Sequence, residues 1–137
     1  MATRSLIGVL HNNQCKAVYC HFDGYLSGVG QTLINHYDVV KADQLVALGD
    51  ISSLGAEIGE KHDFDNCPTG VTNFYGRDRG EDEVSFRTYA SAAEMVRDND
   101  YAEFIYLMHD GVWYVNYCNG NSTEWFVLAD KMVKEGN

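Results

Sequence analysis

Glu103-Phe104-Ile105-Tyr106-Leu107-Met108-His109 and Val112-Trp113-Tyr114-Val115-Asn116-Tyr117-Cys118 stand on either side of the dipeptide Asp110-Gly111. Both turn residues tolerate the positive φ that a two-residue connection between antiparallel strands demands, so the stretch predicts a β-hairpin. Phe104–Met108 is apolar at every position rather than at alternate ones, as in a central strand covered on both faces. A second hairpin is predicted near the N-terminus, where Ser5–Leu10 and Lys16–Phe22 flank the polar turn His11-Asn12-Asn13-Gln14.

Between the hairpins the pattern changes. Val29, Leu33 and Tyr37 lie four apart, which predicts a helix over Val29–Tyr37. A second helix, Val40–Leu48, ends at Gly49. Residues 50–83 are irregular: one helical turn around Ile51, Leu54 and Ile58, then a long loop over Asp63–Gly80 that holds the only proline. Loops of that length in small domains tend to be functional or mobile. A strand follows at Val84–Tyr89, and Ser91-Ala92-Ala93-Glu94 forms a capping box for a short helix ending near Asp98-Asn99-Asp100. After Cys118, Asn119-Gly120-Asn121 turns the chain into a strand at Glu124–Leu128, and Ala129–Lys134 closes it as a helix. The expectation is an α+β fold, a mostly antiparallel sheet of about five to six strands with helices packed against it, in one domain over residues 1–137.

Composition bounds the function. With 137 residues, nine Tyr, six Phe and two Trp, the chain builds an ordinary core and is not of the disordered class. No apolar run reaches the ~18 residues of a membrane span, and MATRSLIGVL lacks a secretory signal, so a cytoplasmic protein is expected. Ten Lys and Arg face twenty Asp and Glu, a net charge of −10. Arg4 and Lys16 balance Asp23 and Asp38 in residues 1–40, so the whole excess lies beyond them. A phosphate backbone is repelled by such a surface, which argues against direct nucleic-acid binding and allows docking on basic partners or mimicry of a nucleic acid.

Four segments hold candidate chemistry. Tyr19 to Gly30 (YCHFDGYLSGVG) runs from a strand through a glycine-bearing loop into a helix. Backbone amides near Asp23, Gly24, Gly28 and Gly30 suit an anion, and Tyr19, His21 and Tyr25 offer rings on which a base stacks. Gly76 to Glu81 (GRDRGE) carries Arg77 and Arg79 around Asp78, preceded by Phe74. Guanidinium groups grip phosphate bidentately, although here they have acidic neighbours with which to pair. Lys61 to Cys67 (KHDFDNC) offers His62, Asp63 and Asp65 but fails the calcium-loop pattern, and reads as a solvated loop. The cysteines, Cys15, Cys20, Cys67 and Cys118, match no standard zinc spacing with His11 and His21 and read as buried thiols. No metal, cofactor or catalytic residue is assigned. Tyr106, Trp113, Tyr114, Tyr117, Trp125 and Phe126 outnumber what one small sheet face hides, which points to a homodimer interface.

TRSLIG (Thr3–Gly8), YCHFDGYLSGVGQTL (Tyr19–Leu33), LGDISSLG (Leu48–Gly55), YGRDRGE (Tyr75–Glu81) and YLMHDGVWYV (Tyr106–Val115), in this order, resemble a family of short bacteriophage-encoded proteins of unassigned function. The resemblance brings no reaction and no functional residues. It implies an accessory protein in the cytoplasm of an infected bacterium, acting against host defence. The leading expectation is non-catalytic sequestration of a small phosphorylated nucleotide signal between the Tyr19–Gly30 loop and Arg77/Arg79, with Tyr25, His21 or Phe74 stacked on the base. The alternatives are a protein-binding inhibitor of a host defence enzyme, docking through acidic residues 78–83 and 94–103, and an enzyme that degrades the signal.

Overall fold

The computed structural model describes residues 3–99, 102–118 and 124–135. Both predicted hairpins form. Strands β1 (Ser5–His11) and β2 (Gln14–Cys20) are joined by Asn12 and Asn13 at φ of 50° and 61°. Strands β6 (Phe104–His109) and β7 (Val112–Asn116) are joined by Asp110 and Gly111 at 52° and 79°. All four turn residues occupy the left-handed region that a tight hairpin turn requires.

The sheet is larger than the sequence predicts. It has eight strands rather than five or six, in the order β4-β3-β2-β1-β6-β7-β8, with β5 (Arg87–Tyr89) also on β2. The additional members are β3 (Ile51–Ser53) and β4 (Asn73–Phe74), both drawn from the segment read as irregular, β3 replacing the helical turn expected around Ile51; β8 (Phe126–Val127) lies within the strand expected at Glu124–Leu128. Strands of two or three residues show no alternation; docking on a neighbour creates them. The antiparallel character holds for most pairings, but β1–β6 and β2–β3 are parallel.

The outer edge of β2 is shared. β5 pairs with Cys15–Ala17 and β3 with Cys20. In the gap between them the Tyr19 amide donates to Asp50 Oδ1 at 2.9 Å, and Arg87 holds the same carboxylate through two N–H groups at 3.2 and 3.1 Å. A buried carboxylate thus takes the place of a strand carbonyl, and the sheet changes partner without an orphaned amide.

Helices cover both faces, which makes β1 and β6 the fully buried strands expected of Phe104–Met108. One core joins Ile7, Val18, Tyr106 and Val115 to Leu26, Leu33, Leu45, Val46 and Leu128. The other joins Leu6, Ala17, Ile105 and Leu107 to Met95 and Val96. Over the first face lie α1 (Gln31–His36), α2 (Val39–Ala47) and α4 (Leu128–Glu135); α3 (Ala92–Arg97) supplies the second. Asp38 caps α2 by accepting from the Lys41 amide at 2.8 Å, and Gly49 at φ 93° lies just beyond its end. Ser91 caps α3 through the Glu94 amide, as the capping box predicts. The helix expected over Val29–Tyr37 differs: a π-helical turn, Leu26–Gly30, precedes a shorter α1. The predicted turn at Asn119-Gly120-Asn121 lies outside the described residues. So does Asp100 at the end of α3.

Hairpin aromatics divide between the two cores. Tyr106 and Trp113 are buried, and Tyr114, Tyr117, Trp125 and Phe126 are partly buried. Among the described residues the most exposed Phe, Tyr and Trp rings lie elsewhere, at Phe22 and Tyr25.

Candidate functional site

The Tyr19–Gly30 segment is built as a tight crossing. Asp23 adopts φ 58°, its carbonyl accepts from the Val29 amide at 2.8 Å, and Gly24 donates to Thr3 O at 2.8 Å. The hydroxyl of buried Tyr106 donates to Gly24 O at 2.6 Å. A Cβ on Gly28 would stand 2.2 Å from Asp23 O, and one on Gly24 2.7 Å from Thr3 O. Gly30 packs against the Tyr106 ring, where a Cβ would come within 3.3 Å. These glycines let backbone pass backbone, and their amides largely serve the turn itself. The rings beside them diverge. Tyr19 and His21 hydrogen-bond to each other, whereas exposed Tyr25 donates to Asp23 Oδ1 at 2.9 Å and lines an open depression with Phe104 and Tyr117.

Arg77 organises the long loop. Its Nε donates to Asp78 Oδ1 at 2.9 Å, one terminal nitrogen to the carbonyls of Ile58 (3.0 Å) and Gly59 (2.9 Å), and the other to Thr72 O (3.0 Å) and Asp78 Oδ2 (3.1 Å). A guanidinium has five N–H donors, and all five are engaged. The group also lies 4.5 Å from the centre of the Phe74 ring, which is fully buried. Asp78, with no exposed side-chain surface, further accepts from the amides of Phe74 (2.8 Å) and His62 (3.1 Å). Burial alone would raise its carboxyl pKa, but Arg77 and the two amides outweigh that and hold it below the usual aspartate value. The His62 ring bridges Glu60 O and Asn73 Oδ1, and Asn73 Nδ2 donates to Phe64 O. Tyr37 and Thr72 close the other end by bonding to Gly55 O.

Residues 55–80 are therefore a structured lobe rather than a solvated loop. Arg79 belongs to its surface: half exposed, it pairs with Glu81 at 3.3 Å and lies over Phe64 (5.0 Å) and Tyr75 (6.0 Å), which stack on each other. Asp63 caps the turn Phe64–Asn66 by accepting from the Asp65 amide at 3.1 Å. Glu60, Asp65, Asp82 and Glu83 are exposed, and none has a cationic partner among the described residues. Over residues 57–83 the sequence holds eight acidic side chains against three basic ones.

The ten predicted site residues thus fall into separate places. Tyr19 and His21 form a pair at the end of β2; Asp23, Gly24, Tyr25, Gly28 and Gly30 build the crossing; Phe74, Arg77 and Arg79 belong to the lobe. No contact of either guanidinium reaches the 19–30 segment. Of residues 94–103, Glu94 lies on α3, Asp98 just past its end pairs locally with Arg97 at 3.0 Å, and Glu103 precedes β6; residues 100 and 101 lie outside the described residues. The part played by Asp78 and His62 in fixing the lobe has no sequence signal, because the contact between them and the His62–Asn73 bond join positions 16 and 11 residues apart with no regular periodicity. Cys15 and Cys20 are buried as expected, which pushes their thiols up to about 11 and about 12; Cys67 and Cys118 are only half-buried. Among the described residues no cluster of His, Cys, Asp and Glu fits a metal ion, and no helix is long and apolar enough to cross a membrane. No known family model, curated protein or solved structure matches the chain.

Proposed function

We propose that the protein works by binding rather than by catalysis, docking the acidic lobe of residues 57–83 on a basic face of a partner protein. The observation that carries this reading is the division of labour in the lobe. A buried arginine with every donor engaged fixes its backbone, while Glu60, Asp65, Asp82 and Glu83 face solvent uncompensated. Fixed surface charges steer association and set orientation at little ordering cost. The resemblance to short phage proteins suggests the partner's class: a host defence protein in the bacterial cytoplasm, such as an enzyme on whose phosphate-binding face the acids stand in for phosphate. Sequestration of a phosphorylated nucleotide between the 19–30 segment and the arginines is the weaker reading. Arg77 has no N–H left to offer, and the Phe74 ring has no exposed face.

The test is affinity capture from bacterial lysate with the wild-type chain and with Glu81→Lys/Asp82→Lys/Glu83→Lys. A partner retained at low salt should be lost on charge reversal and at about 0.5 M salt, where screening acts over a few ångströms. Retention indifferent to both changes contradicts the proposal. A thermal shift with cyclic nucleotides that disappears in Arg79→Ala would restore the small-ligand reading.

A further inference from the structure

At the tip of the β1–β2 hairpin, α2 and the segment entering β5 leave a cleft of about 290 Å³, lined by Val9, His11, Asn12, Gln14, Lys16, Asp43, Val46, Ala47 and Phe86. Strand geometry explains the lining: residues 9 and 11 of β1 pair with 16 and 14 of β2, so all four project on the α2 side. The floor is apolar, with Val9 and Val46 each 2% exposed. The rim is polar and unsatisfied. Neither side-chain amide, of Asn12 or Gln14, hydrogen-bonds to the protein among the described residues. His11 donates through Nε2 to both oxygens of half-exposed Asp43 at 3.1 Å, which leaves Nδ1 without a protein partner among the described residues.

Lys16 sets the sign of the site. Lys41, Arg77, Arg79, Arg87 and Arg97 each have a carboxylate within salt-bridge distance. Lys16 has none; its ammonium lies 5.1 Å from the centre of the Phe86 ring, and its N–H donors are free. Lys131 lies similarly over the Phe126 ring at 4.1 Å, but Lys16 is the cation that lines this cleft. Convergent unpaired polar groups around an apolar floor are what small-molecule sites share, and this volume lies at the small end of their ~300–1,000 Å³ range.

We propose that this cleft binds a small organic anion: one flat or branched apolar body, about a single ring in size, carrying one carboxylate or phosphate. The body covers Val9, Val46 and Phe86, the anionic group meets the Lys16 ammonium, and the Asn12 and Gln14 amides donate to its remaining oxygens. A cationic ligand meets the like charge of Lys16, and the one carboxylate of the rim, Asp43, is shared with His11. The site is independent of the acidic lobe, and either proposal stands without the other.

The experiment follows valine methyl signals by NMR during titration with benzoate, phenyl phosphate, benzamide and benzylamine. Benzoate or phenyl phosphate should shift the methyls of Val9 and Val46, and which of the two binds tighter identifies the carboxylate or phosphate source. Benzamide and benzylamine should bind at least about tenfold more weakly, the loss expected for a missing charge-assisted contact. Lys16→Gln should weaken the anions by a similar factor, and Lys61→Gln, at an exposed position in the lobe, should not. The proposal is overturned by the absence of a shift with either anion at millimolar concentration. Benzylamine binding as well as benzoate overturns it too, as does equal loss in the two lysine variants.

Discussion

Arg77 and Arg79 are two residues apart in the same acidic hexapeptide and have different work. Arg77 is 13% exposed at its side chain and fully hydrogen-bonded, whereas Arg79 is 54% exposed and held by one carboxylate and two rings. Removing one partner of a buried pair strands the other's charge, so Arg77→Ala should lower unfolding free energy by about 3 kcal/mol in denaturant titration. Arg79→Ala should cost under about 1 kcal/mol, as exposed pairs do. Asp78 carries a pH signature. Its folded pKa lies below the unfolded value, so its contribution is complete above the ordinary aspartate pKa of about 3.9 and is lost as pH falls through its own lower value. The stability difference between wild type and Asp78→Asn should therefore be flat near neutrality and shrink below about pH 4. A difference that grows on acidification contradicts this assignment. The pairing of both arginines with acidic neighbours was legible in GRDRGE; their different burial was not. The hexapeptide shows two cations among acids, and which one is buried depends on carbonyls at Ile58 and Gly59, supplied by another arm of the chain, and at Thr72, five residues back.

At the scale of elements, the legible parts are those whose cause is local. Asn12-Asn13 and Asp110-Gly111 specify their turns through their own φ angles, and Ser91 and Asp38 cap helices through amides three residues away. The illegible parts have causes elsewhere. β3 and β4 exist because Ile51 lies between Cys20 and Phe74. The parallel β1–β6 pairing joins segments about a hundred residues apart, and no periodicity announces it. The π-helical turn follows from the 23–30 crossing, where backbone approaches too closely for any side chain. Gly28→Ala should therefore destabilise by at least about 2 kcal/mol through a backbone shift, measured by thermal or denaturant unfolding. A change under half of that would show that the crossing relaxes freely.

For the whole molecule, the charge asymmetry of the sequence has a structural counterpart. The sheet and its helices form a scaffold, and the segment between β3 and β5, which by length alone reads as loose, is a stapled lobe with a strongly acidic surface. The α+β class and the place of the long segment without regular pattern were readable from pattern and composition. That the segment is rigid, and that its arginines face inward or lie flat, required the fold. Amide hydrogen exchange of the protein with its captured partner, compared with the free chain, is the most direct measurement of where binding occurs. Slowed exchange across residues 57–66 and 78–83, with 19–30 unchanged, is the predicted result. Slowing confined to 19–30, with the lobe exchanging as in the free protein, would contradict the account.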